Sequence, residues 1–146
     1  MIEQLWAERC LLRVPVLYTR GIDRRDWDLV RSCFADDAHV AGSRTSSGRL
    51  DEYLPALRTG VEHYPATMHF VGNQIVDVDP GQRSGRVETY AVAYHWRGAE
   101  PGAAHPENLV LGVRYLDEIV ESDGEWRICR RSVSADWRQG PFPTLS

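Results

Sequence analysis

The sequence predicts an α+β domain, with three N-terminal helices packed on one face of a strongly curved, mostly antiparallel sheet. Two observations carry this. Apolar residues recur at helical spacing as far as Val61, and after Pro65 the period changes from 3.6 to 2. The second half then holds four long alternating segments broken by turn residues, a meander rather than strands alternating with helices. A curved sheet closed by helices encloses a pocket with an apolar lining and a few polar groups.

The elements follow in order. Residues 2–20 form a helix, with Leu5, Leu11, Leu12, Val16 and Leu17 inward and Glu3, Glu8, Arg9 and Arg13 toward water. Pro15 removes one helical hydrogen bond and predicts a kink or split near residues 11–14. Gly21 reads as the stop. Asp23 then caps a second helix, helped by Asp26, with Trp27, Val30 and Phe34 buried and Asp36-Asp37 closing it. Residues 39–42 suit a short strand and 45–48 a loop, from which Ser46 or Ser47 caps a third helix. That helix buries Leu50, Tyr53, Leu54, Leu57 and Val61, with Pro55 near its start. Strands follow over 66–79, 84–97, 108–121 and 125–137. Asp79-Pro80-Gly81 and Ser122-Asp123-Gly124 make turns, residues 98–106 a long loop, and Gln139 to Pro143 a tail along the surface.

Composition narrows the function. The 146 residues fit one domain, 1–146, and 42% hydrophobic content supplies an interior. A net charge of −4 without basic density argues against nucleic acid as partner. No apolar run approaches the ~20 residues of a membrane helix, and the start Met1-Ile2-Glu3-Gln4 has no basic signal region, so a cytoplasmic location is expected. All 17 basic residues are arginine, which removes lysine Schiff-base chemistry and lysine-held phosphate loops. Cys10, Cys33 and Cys129 form no Cys-x-x-Cys unit and read as core filler. There is no Gly-x-Ser-x-Gly motif for a nucleophilic serine.

The chemistry centres on histidine. On the strand from residue 66, alternation puts His69, Val71, Asn73 and Ile75 on one face. On the next strand His95 shares a face with Ala91, Ala93 and Arg97. A hairpin centred near residues 81–82 brings His69 opposite residues 93–95, so the two histidines become cross-strand neighbours, directly or diagonally. Two imidazoles and a carboxylate such as Asp23 suit acid–base work near neutral pH, and the same pattern also fits histidines satisfied in a core. A two-histidine, one-carboxylate metal set has no supporting His-x-x-x-His or His-x-Asp spacing, so no metal is expected. His39, His63 and His105 lie at element ends and read as surface. Tyr18 stands out among the aromatics because it precedes Asp23 by five residues.

Four segments carry a resemblance: Tyr18 to Asp28, Thr67 to Asn73, Glu88 to His95 and Gly112 to Asp117. Together they resemble the SnoaL-like family of the nuclear-transport-factor-like superfamily, over a core of about residues 3–138 with 139–146 as a tail. The resemblance implies a conical barrel with a deep pocket, in a homodimer or homotrimer. It also implies chemistry without metal or organic cofactor, as in scytalone dehydratase, bile-acid dehydratase and polyketide cyclases. By that likeness Asp23 supports His69 as base, Tyr18 contributes, and His95 or Arg97 is the second catalytic position. Asn73, Arg97, Trp27 and Phe70 are the expected substrate contacts. The tyrosine that scytalone dehydratase carries just before its aspartate is Ile22 here, and a second has no match near Val40. The implied activity is a lyase or isomerase acting on a hydrophobic cyclic molecule such as a polyketide, steroid or terpenoid. The alternative is a binding protein, or a structural small subunit like that of ring-hydroxylating dioxygenases.

Overall fold

The structure, a computed structural model, describes residues 1–42 and 47–145. Helix α1 spans Ile2–Arg24 and α2 Trp27–Ser32; strands β1 (Phe34–Ala41) and β2 (Gly48–Arg49) follow, then α3, Leu50–Glu62. The meander is β3 (Ala66–Val78), β4 (Ser84–Trp96), β5 (Leu109–Ser122) and β6 (Glu125–Gln139). One six-stranded sheet runs in the order β2-β1-β6-β5-β4-β3. Among the described residues every pairing is antiparallel except β1 with β6. The α+β class and the helices on a curled sheet match the expectation.

The helix boundaries differ from it. α1 continues through Pro15 and past Gly21. Gln74 on β3 donates to the Leu12 carbonyl at 3.1 Å, one turn before the proline, where the ring weakens the helical ladder. Gly21 is required by packing instead: a Cβ there would lie 2.7 Å from Val30 Cγ2. The helix ends at Arg25, whose φ of 56° is left-handed. Asp23 therefore sits inside the last turn of α1 and caps nothing. Asp26 caps α2, its carboxylate accepting the Leu29 N–H at 3.0 Å.

α2 stops at Ser32, and Asp36 and Asp37 belong to β1. β1 is longer than expected because tertiary pairing holds it: Phe34 lies beside Ile128 and Val40 beside Arg131. α3 starts after Arg49 without a side-chain cap, so Ser47 does not occupy the cap position. Thr45 and Ser46 lie outside the described residues. On β3 the register shifts between Val71 and Gln74. This bulge turns Asn73 and Ile75 outward and Gln74 inward, where it also donates to Thr89 Oγ1 at 3.2 Å.

The inner end of the cone is filled. Arg131 and Asp117 form a bidentate pair at 2.6 and 2.8 Å with no exposed side-chain surface. The guanidinium lies 4.1 Å from the Tyr18 ring centre and 4.3 Å from that of Tyr115. Tyr18 packs edge-on against Phe34 and Tyr115, and its hydroxyl meets that of Tyr53 at 3.4 Å. Burying two charges is costly, and the pairing together with the ring faces offsets that cost. Removing one partner leaves the other charge stranded. Asp117→Ala should therefore lower unfolding stability by about 3–5 kcal/mol in urea titrations, while a paired Asp117→Leu/Arg131→Met variant regains most of the loss.

Candidate active site

The end of α1 meets the start of β3 through one carboxylate. Asp23 Oδ1 lies 2.8 Å from His69 Nδ1 and accepts from Thr67 Oγ1 at 3.0 Å. Its Oδ2 accepts the backbone N–H of His69 at 2.7 Å. Thr67 and His69 share the inner face because they are two residues apart on the strand. Arg25 completes the chain of bonds. Its Nη1 donates to Thr67 Oγ1 at 2.8 Å and to the Ile22 carbonyl at 2.9 Å, and its Nη2 donates to the Tyr64 carbonyl at 2.8 Å. These bonds hold a non-glycine residue in a left-handed conformation and anchor the helix end to the start of β3.

Burial alone would raise the pKa of Asp23, but the hydrogen bonds and charge of His69, with Thr67, outweigh it and hold the carboxyl below its ordinary value. An ionised carboxylate only accepts, so His69 Nδ1 carries the proton toward it. In the neutral ring Nε2 is then left with its lone pair. The imidazole itself is largely shielded, with 7% of its side-chain surface exposed.

His95 is the diagonal neighbour. His69 pairs with Ala93 and Thr67 with His95, and the two imidazole centres lie 6.3 Å apart at 71°. His95 Nδ1 lies 3.1 Å from the Leu109 carbonyl. A carbonyl accepts only, so this nitrogen also bears the proton and Nε2 is unprotonated. Burial, followed by the neighbouring His69, pushes His95 down to about 4, so it is neutral at pH 7.

The remaining expected site residues are scattered. Tyr18 is 3% exposed and belongs to the aromatic cage around Arg131. That cage lies at the level of Tyr115, which pairs with Thr89, four residues along β4 from the Ala93 that faces His69. Phe70 is 69% exposed on the outer face of the sheet. With Asn73, Tyr90 and Trp137 it lines a concavity of about 210 Å³ there. These two therefore do not line the same space as His69: alternation turns Phe70 away, and the bulge turns Asn73 away. Trp27 bonds Glu62 through its indole nitrogen at 3.0 Å, under Arg58.

Arg97 follows β4 directly, and its backbone N–H donates to Asn108 Oδ1 at 2.9 Å. Sequence reasoning missed Thr67, Arg25 and Tyr64. The alternation Thr67-x-His69 was a usable signal for the first. Nothing local announces that Arg25 ends the helix left-handed. Among the described residues, no three His, Cys, Asp or Glu side chains converge as metal ligands. No helix among them is long and apolar enough to cross a membrane.

The site thus lies where helix α1 meets β3 of the curled sheet, with an aspartate and a histidine joined there. Residues 3–132 match the SnoaL-like domain, and the chain belongs to that family. A proposed scytalone dehydratase from Novosphingobium aromaticivorans is similar at 21% identity, over 100% of this chain and 94% of that one, with a TM-score of 0.79. The type 3 LinA hexachlorocyclohexane dehydrochlorinase from Novosphingobium barchaimii is 13% identical over 94% and 92% of the chains, with a TM-score of 0.77. The protein Kfla4162 from Kribbella flavida is 20% identical over 90% and 92%, with a TM-score of 0.76. At these identities the likeness shows the fold alone. No curated protein matches the sequence.

The two titrating groups act on stability in separate windows. Unfolded, a histidine takes its proton near pH ~6.5; folded, His95 takes it at about 4. Between those values the unfolded chain holds the extra proton, so stability rises with pH and the contribution is complete above ~6.5. It amounts to roughly 3 kcal/mol, lost as pH falls through that window. Asp23 contributes above the ordinary carboxylate value of ~3.9 and loses its contribution as pH falls through its lower folded value. Urea titrations from pH 7 to 4 should show the first loss, and His95→Gln should flatten it.

Proposed function

We propose that this chain is an acid–base lyase or isomerase of the dehydratase or cyclase kind, using its own side chains on a hydrophobic cyclic small molecule. A polyketide, steroid or terpenoid carrying a carbonyl is the substrate class. The observation that carries this reading is the Asp23–His69 pair with Nε2 unspent. Asp23 fixes the tautomer and stabilises the imidazolium that forms, and His69 Nε2 takes a proton from the carbon beside the carbonyl. The proton returns to another carbon in an isomerisation or leaves with a hydroxyl in a dehydration. Neutral His95 packs beside the base and keeps a second lone pair in the site.

Family membership supports the reading. So do two of the structural relatives, whose names, scytalone dehydratase and dehydrochlorinase, both describe eliminations, of water and of hydrogen chloride. The exposed Phe70, Ile75, Tyr90, Leu116 and Trp137 give the outer sheet face an apolar character suited to a homodimer or homotrimer. That face also suits the rival reading, a structural subunit seated on a larger partner.

The test is deuterium incorporation from heavy water into a panel of cyclic ketones, steroid and aromatic polyketide, followed by mass spectrometry. His69→Ala should lower the exchange rate about 10²–10⁴-fold with the circular dichroism spectrum unchanged. Asp23→Asn should lower it as well, because the amide no longer supplies a charged acceptor at Nδ1. Full exchange by His69→Ala would refute the mechanism.

A further inference from the structure

Two hydrogen-bond donors near the dyad are unspent. His69 gives its Nδ1 proton to Asp23, and His95 gives its own to the Leu109 carbonyl. Thr67 donates to Asp23. Tyr18 shares a hydrogen bond with Tyr53 inside the aromatic cage, at a different level from the dyad. The Tyr64 hydroxyl and Arg97 Nε are both buried and meet no hydrogen-bond partner among the described residues. Tyr64 is 3% exposed, and its ring centre lies 5.0 Å from that of His95. A buried donor without a partner costs about 1–3 kcal/mol, so such groups call for an explanation.

The two donors belong to one place. Ala66 pairs with Trp96 at the ends of β3 and β4; Arg97 follows that last pairing directly and Tyr64 precedes it by two residues, with Pro65 between. Each is fixed by its backbone. The Tyr64 carbonyl accepts from Arg25, and the Arg97 N–H donates to Asn108. Asn108 in turn donates to the Ala103 carbonyl and adjoins Leu109, the residue that orients His95. The charges of Glu107 and Arg97 act on the Tyr64 hydroxyl in opposite senses, after burial, which raises it. Neutral His95 brings no charge.

We infer that the Tyr64 hydroxyl and Arg97 Nε form an oxyanion subsite beside the histidine pair, built for a carbonyl, enolate or phenolate oxygen of the substrate. The inference rests on the proposed proton abstraction and extends it. When His69 Nε2 takes the proton, the C–H bond breaks, its electron pair forms the new C=C bond, and the C=O π pair moves onto the carbonyl oxygen. That oxygen becomes anionic, and Tyr64 O–H and Arg97 Nε–H are the donors that meet it. His69 and the subsite thus act on different atoms of one substrate, and the two ideas separate experimentally.

The probe is 4-nitrophenolate, compared with its O-methyl ether 4-nitroanisole, whose oxygen carries no charge. Binding is followed by absorbance at a pH where the phenol is ionised. Wild-type protein should prefer the phenolate by at least about tenfold. Tyr64→Phe and Arg97→Met should each collapse that preference, while His69→Gln, which removes the base, should keep it. Removing a hydroxyl that has no partner should leave the thermal midpoint of Tyr64→Phe unchanged or raised. No preference in the wild type, or a preference untouched by both substitutions, overturns the subsite whatever His69→Ala does to exchange. A phenolate preference that survives beside full exchange in His69→Ala would keep the subsite and remove the base.

Discussion

One carboxylate joins the two halves of this chain. Asp23 takes three hydrogen bonds from β3, two of them from His69, and so clamps the end of a 23-residue helix onto the first strand of the meander. The clamp needs α1 to reach Arg24, which needs Gly21 to sit inside the helix against Val30. It also needs the helix to turn away at once, and Arg25 does this by adopting a left-handed conformation held by its own side-chain bonds. Those bonds reach Thr67 and Tyr64, so the residue that ends the helix also positions both ends of the site.

Two polar systems occupy the cone at different levels. The inner one, Arg131 with Asp117, serves stability: the pair neutralises itself through Nε and Nη2, and aromatic rings surround the guanidinium, whose Nη1 meets no hydrogen-bond partner among the described residues. The outer one leaves acceptors open, because each imidazole gives its proton to a fixed oxygen and retains a lone pair. Burial that would be merely expensive in the inner layer becomes useful in the outer one. It keeps His95 neutral and holds the base in a partly dry setting, where a positioned charge acts more strongly than in water.

Periodicity made much of this legible. The change of period after Pro65 gives the meander, and the turn near residues 81–82 brings His69 opposite residues 93–95; the structure resolves this to Ala93, with His95 on the diagonal. Alternation could not give the bulge at Gly72-Asn73, which reverses the faces of Asn73 and Ile75 and depends on pairing with β4. Residue type alone makes Gly21 a stop and Asp23 a cap. Both belong inside α1, because packing against Val30 and bonding to β3 outweigh local propensity. Tyr18 looked like a pocket residue from its distance to Asp23 along the chain. One and a half helical turns separate them, enough to put them in different layers.

The chemistry depends on where the His69 proton resides in the resting protein. Nitrogen-15 correlation spectroscopy of the imidazole rings at neutral pH reports this directly. The neutral His69 ring should show a protonated Nδ1 and an unprotonated Nε2, and Asp23→Asn should disturb that assignment. A neutral ring protonated at Nε2 in the wild-type protein would contradict the role given to Asp23 and leave His69 without the lone pair that proton abstraction requires.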